Sequence, residues 1–198
     1  MADALPSIDP EHTALLVMDY QVQLVNSLSD ADVLLSRTAG AIAVVRRHGG
    51  QIGYVRVAFE DADYAAIPST NKMAARVAAM GRTLSNESPA TTIHEHVAPH
   101  AGDIMVRKTR AGAFSTTDLA EQLRHRDISS LILAGISTSG VVLSTVRDAA
   151  DRDYQVFVLA DACADPDPGV HEFLTQRIFP RQADVITTTE LEDLLSPA

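Results

Sequence analysis

Short apolar runs recur along the chain, and segments of helical period lie between them. Six runs bounded by turn residues predict buried β-strands, at 13–20, 51–59, 103–108, 131–134, 155–160 and 183–187. The periodic segments predict helices at 29–48, 71–80, 115–126, 137–149, 169–179 and 189–195. Ser29 with Asp32, and Ser115 with Asp118, are predicted N-terminal capping pairs. Because strand and helix alternate throughout, we expect a three-layer α/β/α fold with a six-stranded parallel sheet, a Rossmann-like architecture.

Composition narrows the class of protein. The chain has 198 residues, of which 46% are apolar, so a single domain over residues 1–198 is expected. A net charge of -10 and a pI near 5.0 argue against a nucleic-acid partner, which needs clustered Lys and Arg. The single cysteine, Cys163, leaves no internal disulfide and no thiolate zinc cluster. We find no signal peptide and no apolar run of membrane-spanning length, so we expect a cytoplasmic protein without a membrane partner.

The stretch from Ser129 to Tyr154 has the clearest junction between a strand and a helix. Its apolar run 131–134 ends at Gly135, and the hydroxyl residues 137–139 then precede a helix lined by apolar side chains. In parallel sheets such a junction lies at the carboxyl end of a strand, where backbone N–H groups converge and ligands bind. We call this junction, residues 135–142, the elbow.

Charged residues end two of the other predicted strands. Asp19 follows the first apolar run and Lys108 ends the third, which is a signal for a site in this architecture. Arg56 interrupts the otherwise apolar second strand. Together with Arg107 and Arg110 it could bind a substrate carboxylate with two hydrogen bonds, although pairing with a surface Asp or Glu is the commoner arrangement for an arginine.

Three segments in this order resemble the isochorismatase-like hydrolases: DYQ at 19–21, VRKTRAGAFSTTDL at 106–119 and GISTSGVVLSTVRDA at 135–149. The resemblance implies a six-stranded parallel sheet, assembly into homodimers or homotetramers, and an active site between the ends of the first, third and fourth strands. Asp19 and Lys108 match the catalytic Asp and Lys of the family. The position of its nucleophilic cysteine is occupied by Val141. The family also has a cis peptide bond at the elbow, which here would join Ile136 to Ser137.

Valine cannot act as a nucleophile, so the resemblance implies chemistry without a covalent cysteine intermediate. Cys163 is predicted to be structural, because it lies beyond the fifth apolar run among apolar neighbours. Some isochorismatases hydrolyse a vinyl ether by protonating its carbon, and Asp19 would be that acid. Lys108 would orient the substrate or stabilise negative charge. The predicted substrate is a small carboxylated molecule.

Other residues complete the predicted site. The backbone amides around Gly135, Ile136, Ser137, Thr138 and Gly140 could form an oxyanion-binding nest. The predicted substrate-binding residues are Gln21, Arg56 and Phe114, although core packing is an equal alternative for Phe114.

No metal or cofactor is expected. Nicotinamidase-like members of the family carry metal-binding histidines after strand two, whereas residues 58–63 of this chain contain none. His94, Glu95, His96 and His100 are interpreted as a solvated loop. Two other functions stay open: a binding or scaffold protein that kept the pocket without catalysis, and an amide hydrolase that uses an activated water or the elbow serine Ser139.

Overall fold

The structure is a computed structural model and describes residues 8–196. Within this range, six parallel strands form one sheet in the order β3-β2-β1-β4-β5-β6. Their bounds are β1 (Thr13–Met18), β2 (Gln51–Val57), β3 (Ile104–Lys108), β4 (Ser130–Ile136), β5 (Gln155–Ala164) and β6 (Asp184–Ile186). The reversal of strand order beside β1 places its carboxyl end, and that of β4, at the position where open parallel sheets bind ligands.

Helices cover both faces of the sheet, which confirms the predicted three-layer fold. Their bounds are α1 (Val22–Val25), α2 (Ala31–Arg47), α3 (Asp61–Ala65), α4 (Lys72–Met80), α5 (Leu119–Arg124), α6 (Leu143–Ala150), α7 (Pro168–Phe173) and α8 (Thr188–Leu195). π-Helical turns at Thr138–Val142 and Leu174–Ile178 precede α6 and follow α7. Short 3-10 turns occur at Pro10–His12, Gly81–Leu84, Pro89–Thr91, Glu95–Val97 and Phe179–Arg181.

The core has two apolar layers, one on each face of the sheet. In β1, Leu15 and Val17 pack against α2 and α8, whereas Leu16 and Met18 pack against α5 and α6. Both faces of β1 and β4 are therefore buried, which explains why these strands read as continuous apolar runs. None of the helices in the described residues is long and apolar enough to cross a membrane.

Two predicted capping pairs are wrong. The side chain of Ser29 donates to Asp30, and α2 begins without a side-chain cap. Likewise α5 begins at Leu119, whose N–H reaches the Thr117 hydroxyl at 3.4 Å, and Ser115 takes no part. The caps of α4 and α8 are regular, with Asn71 and Thr187 accepting from the first turn of each helix.

The fifth strand is longer than predicted and contains Cys163. β5 continues to Ala164, past the predicted end at residue 160, after a register irregularity opposite β4. Cys163 then pairs with Gly135, the first residue of the elbow. The apolar periodicity stopped at Asp161, so the sequence hid this extension.

Candidate active site

Asp19 follows β1 in a backbone conformation that is unusual for this residue type. Its φ of 59° lies in the left-handed region, and its N–H donates to the carbonyl oxygen of Val55 at 2.7 Å. Asp tolerates this region better than most residues with a side chain. The sharp turn ends the strand and leaves the Asp19 carboxylate at the carboxyl edge of the sheet.

Lys108 is the last residue of β3, and its Nζ lies 2.8 Å from Oδ2 of Asp19. Both side chains are buried, with 3% of the Lys108 and 7% of the Asp19 side chain exposed. The same Nζ donates to the carbonyl oxygen of Arg110 at 3.2 Å. The other oxygen of Asp19, Oδ1, is buried and has no hydrogen-bond partner within the described residues. A buried acceptor of this kind is costly to leave unpaired and is a position where a ligand or a proton is bound.

Burial raises the pKa of Asp19 above its usual value, and the charge and hydrogen bond of Lys108 oppose that rise. The burial contribution is the largest, so the protonated carboxyl group is favoured more than in water. An acid with a raised pKa beside a fixed cation is suited to delivering a proton and then stabilising the carboxylate that results.

The elbow follows β4 at the adjacent strand end. Its Ile136–Ser137 peptide bond is cis, at the place where the family resemblance puts one. Gly135 leaves no room for a side chain, because a Cβ there would lie 2.8 Å from Cγ2 of Val142 and 3.3 Å from Cβ of Met18. Val141 is buried in the apolar layer formed with α5 and α6. Val141, which the family resemblance puts at the nucleophile position, is therefore an aliphatic side chain packed into the core.

The amides of the elbow are only in part available to a ligand. The N–H of Ser139 donates to Oδ2 of Asp165 at 2.7 Å, and the N–H of Gly140 donates to the Ser137 carbonyl oxygen at 3.2 Å. The predicted oxyanion nest therefore cannot use these two donors. An anion at the elbow would have to be bound by the remaining amides.

A histidine that no motif of the sequence indicated lies beside the elbow. Nδ1 of His171, in α7, is 2.8 Å from Oγ1 of Thr138. Thr138 is fully buried, so its hydroxyl cannot meet a substrate carbonyl. Sequence reasoning missed both His171 and Asp165. The one signal was the turn-rich segment 165–169, which places a loop after β5 at the same edge of the sheet.

Gln21 has a structural role in place of the predicted substrate-binding one. Its buried side-chain amide donates to the carbonyl oxygens of Val57 and Thr91, both at 2.9 Å. Its Oε1 accepts from the N–H of Val57 at 2.8 Å. These bonds join the ends of β1 and β2 to the loop at 91, and they consume both amide protons.

Phe114 does not line the site. Its ring stacks on Tyr154, with centroids 5.9 Å apart, and the Arg152 guanidinium lies 4.9 Å from its centroid. Tyr154 and Arg152 follow the last turn of α6, whereas the elbow precedes the first turn. The alternative of core packing is therefore the correct one for Phe114, which is 6% exposed.

The three arginines have different partners. Arg107 pairs with Asp63 and Glu60, as expected of a surface arginine. Arg56 donates to Oδ1 of Asn86 at 2.6 Å, and Arg110 donates to the Thr109 carbonyl oxygen at 2.7 Å. Neither Arg56 nor Arg110 takes part in an ion pair within residues 8–196. Because the carbonyl oxygen of Arg110 accepts from Lys108, this arginine adjoins the Asp19–Lys108 pair.

The histidine-rich loop and the cysteine show no catalytic arrangement. Nδ1 of His94 accepts from the N–H of His96, and no group of three or more potential ligands for a metal ion occurs in the described part of the chain. Cys163 is buried with Sγ 3.8 Å from the Leu133 carbonyl oxygen, and burial raises its pKa to about 12. A thiol with this pKa is not a nucleophile near neutral pH.

A pocket of about 290 Å³ lies beside the segment that follows β5. Its walls come from the start of α2, the end of β5 and the start of α7: Leu28, Ser29, Asp30, Val33, Leu34, Arg37, Ala160, Asp161, Cys163, Ala164, Asp165, Pro168 and His171. Asp19 and Lys108 are not among its lining residues. The pocket is therefore separate from the charged pair, although it shares Asp165 and His171 with the elbow region.

The fold is the α/β sheet of the isochorismatase-like hydrolases, and the buried Asp19–Lys108 pair lies at the carboxyl ends of β1 and β3. The chain belongs to the isochorismatase family, because residues 13–190 match the Isochorismatase domain. This confirms the predicted family.

Individual relatives span nearly the whole chain. It is 33% identical to YwoC, an uncharacterized isochorismatase family protein of Bacillus subtilis, over 93% of this chain and 94% of the relative. It is also 33% identical to the phenazine biosynthesis protein PhzD of Pseudomonas fluorescens, over 93% of this chain and 86% of the relative. The crystal structure of a cysteine hydrolase from Pseudomonas syringae is similar with a TM-score of 0.84 and 25% identity, covering 98% of each chain.

Proposed function

We propose that this protein hydrolyses a small carboxylated vinyl ether by acid–base chemistry with Asp19 and Lys108, without a covalent cysteine intermediate. The observation that carries the proposal is the different environment of the two Asp19 side-chain oxygens. One of its oxygens is bound to Lys108, and the other is buried without a hydrogen-bond partner among residues 8–196. The proposal includes assembly into a homodimer or homotetramer, as the family resemblance implies, and a location in the cytoplasm.

The proposed reaction begins with proton transfer from Asp19 to the terminal carbon of the enol ether. A C–H bond forms, the π electrons move, and an oxocarbenium ion results while Asp19 becomes a carboxylate paired with Lys108. Water adds to the oxocarbenium carbon and returns a proton to Asp19. The hemiketal then breaks to a ketone and an alcohol. The raised pKa of Asp19 supports the first step, and the adjacent ammonium supports the carboxylate formed in it.

The nucleophile position supports a non-covalent route. Val141 has no group that could attack a carbonyl, and Cys163 is buried with its pKa raised to about 12. An amide substrate would therefore need a water or hydroxyl nucleophile. Ser139 is the exposed hydroxyl of the elbow, but no histidine is hydrogen bonded to its Oγ within residues 8–196.

A carboxylated substrate is supported by Arg110. This half-buried residue adjoins the Asp19–Lys108 pair through its backbone carbonyl oxygen, and within residues 8–196 its guanidinium has only the Thr109 carbonyl oxygen as a hydrogen-bond partner. A planar guanidinium binds a carboxylate through two parallel hydrogen bonds. Arg56 is a second candidate at the end of β2, where it contacts Asn86 and the Thr91 carbonyl oxygen.

The test uses isochorismate, a vinyl ether with carboxylates, and follows pyruvate release. We expect turnover by the wild type and a loss of at least about 100-fold in kcat for Asp19→Asn. The exposed Asp151→Asn is the matched control and should retain activity. In heavy-oxygen water the ring product should keep its original oxygen, because water attacks the enolpyruvyl carbon.

Two results would favour the other functions. If Asp19→Asn leaves every detected activity unchanged, the protein is better explained as a binding or scaffold protein. If an activated ester gives a burst that disappears in Ser139→Ala, an amide hydrolase with a serine nucleophile replaces the proposed reaction. Trapping of a covalent adduct on the wild type by mass spectrometry would also exclude our mechanism.

A further inference from the structure

Two side chains after β5 bind consecutive residues of the elbow. Oδ2 of Asp165 accepts from the N–H of Ser139 at 2.7 Å, and Nδ1 of His171 lies 2.8 Å from Oγ1 of Thr138. We call Asp165 and His171 the elbow clamp. Both belong to a segment that is separate in sequence from the elbow, and both also line the 290 Å³ pocket.

The His171–Thr138 contact is a hydroxyl–imidazole pair, but it cannot be a nucleophile and its base. Thr138 is fully buried and no substrate atom can approach its hydroxyl. The His171 ring also has no hydrogen bond to a carboxylate that would orient it, within residues 8–196. The contact therefore acts on the position of the elbow.

The first turn of the elbow also has hydrogen bonds of its own. Within the turn, the N–H groups of Gly140 and Val142 converge on the Ser137 carbonyl oxygen at 3.2 and 3.3 Å. Gly140 contributes no side chain that could pack. The turn is π-helical, a form with wider hydrogen bonding than the α-helix and one that occurs mostly as single turns at functional sites. The two clamp contacts therefore add hydrogen bonds at Thr138 and Ser139, ahead of the buried Val141 and Val142 of the same turn.

We propose that Asp165 and His171 are positioning residues, which fix Thr138 and Ser139 so that the elbow presents a constant surface to the substrate at Asp19 and Lys108. This inference rests on the proposed function for the claim that the elbow faces the substrate. The effect of the two clamp residues on the elbow can be tested without turnover.

The hydrogen-bonding groups of Asp165 and His171 suit a positioning role. Asp165 uses its two oxygens for backbone donors, with Oδ1 accepting from the N–H of Asp167 at 3.3 Å. Burial lowers the pKa of His171 below its usual value, so the neutral imidazole is favoured. A neutral ring can exchange one hydrogen bond with Thr138 without carrying a buried charge.

The kinetic experiment compares alanine variants with conservative ones. Asp165→Ala and His171→Ala should each lower kcat by about 10-fold or more while KM changes less than about twofold, because misplacement of supporting groups acts on the transition state. Asp165→Asn keeps an acceptor for Ser139, and His171→Asn keeps a polar atom near the position of Nδ1. Both conservative variants should recover most of the activity.

Asp167→Ala is the matched control. Its Oδ1 caps α7 by accepting from the N–H groups of Gly169 and Val170 at 2.9 and 3.3 Å, and it does not touch the elbow. It loosens the same helix without breaking a clamp contact, so kcat should stay close to that of the wild type. An equal loss in Asp167→Ala would show that general loosening of α7, and not the clamp, is responsible.

Hydrogen exchange supplies a readout that does not need a substrate. Peptides covering 137–142 should take up deuterium faster in Asp165→Ala and His171→Ala, but not in Asp167→Ala or the conservative variants. Unchanged uptake, or faster uptake with unchanged kcat, would overturn the proposal. If the wild type hydrolyses nothing, the proposed function fails, and the uptake data still decide whether these side chains hold the elbow.

Discussion

Nζ of Lys108 lies 2.8 Å from Oδ2 of Asp19, and the two side chains come from strands that do not pair with each other. β2 lies between β1 and β3, so the contact crosses the carboxyl end of β2. The left-handed turn at Asp19 and the position of Lys108 as the last residue of β3 make this possible. The pair is therefore a tertiary feature, formed at an edge of the sheet where backbone pairing has ended.

The pH dependence of activity should reveal whether Asp19 acts as an acid or as a base. An acid is active while protonated, so activity is lost as pH rises through the pKa of Asp19, which burial raises and Lys108 lowers. Removing the cation in Lys108→Met should raise that pKa further and move the alkaline limb of kcat/KM to higher pH by about one unit or more. The profile is measured by initial rates across pH. The exposed Lys72→Met serves as the control and should not shift the limb. Movement of the acidic limb instead would identify Asp19 as a base.

The effects of substituting Asp19 and Lys108 on the free energy of unfolding should not be additive. Asp19→Leu leaves the buried Lys108 ammonium without its counter-charge and should cost about 3–5 kcal/mol of unfolding free energy. Lys108→Met should cost less, because the buried Asp19 is then protonated. The double variant removes both charges and should recover to within about 2 kcal/mol of the wild type. Urea unfolding at neutral pH measures all three. Additive losses would mean that the two groups do not interact in solution.

Thiol reagents should leave the protein active. Because the pKa of Cys163 is raised to about 12, its thiolate fraction at pH 8 is roughly 10⁻⁴, and the side chain is buried. We expect iodoacetamide to leave Cys163 unlabelled in the folded protein and to modify it only after unfolding in urea. Mass spectrometry of the digested protein locates the label. Inactivation of the wild type with label on Cys163 would contradict the structural role of that residue.

The two glycines of the elbow should differ in their tolerance of alanine. In Gly135→Ala the new methyl group would meet Val142 and Met18, both fixed in the core, at 2.8 and 3.3 Å. We expect a loss of about 1–3 kcal/mol in unfolding free energy, and about a tenfold lower kcat as the elbow moves from β1. In Gly140→Ala the contact is with Oγ of Ser137 at 2.7 Å, a hydroxyl that can rotate away. Its stability should change by less than about 1 kcal/mol, so a larger loss there would contradict this account.

Sequence reasoning correctly placed two charged residues at strand ends, where they meet in the structure. Asp19 and Lys108 were identified because an apolar run that stops on a charge places that charge at the carboxyl edge of a parallel sheet. It failed for Gln21 and Phe114, although both side chains could bind a substrate. Gln21 is hydrogen bonded to backbone groups, and Phe114 packs in the core. Nothing in a linear pattern distinguishes an amide that binds substrate from one that bonds a neighbouring strand.

The sequence by itself determined the order of strands and helices along the chain and the three-layer architecture. These depend on local periodicity and on motif spacing, which are properties of the chain before it folds. Only the tertiary structure decided that Asp19 has one oxygen without a partner in the described residues, that Cys163 of β5 pairs with Gly135 of β4, and that Asp165 and His171 contact the elbow. Each of these depends on the distance between segments remote in sequence, and that distance is set by the packing of the whole sheet.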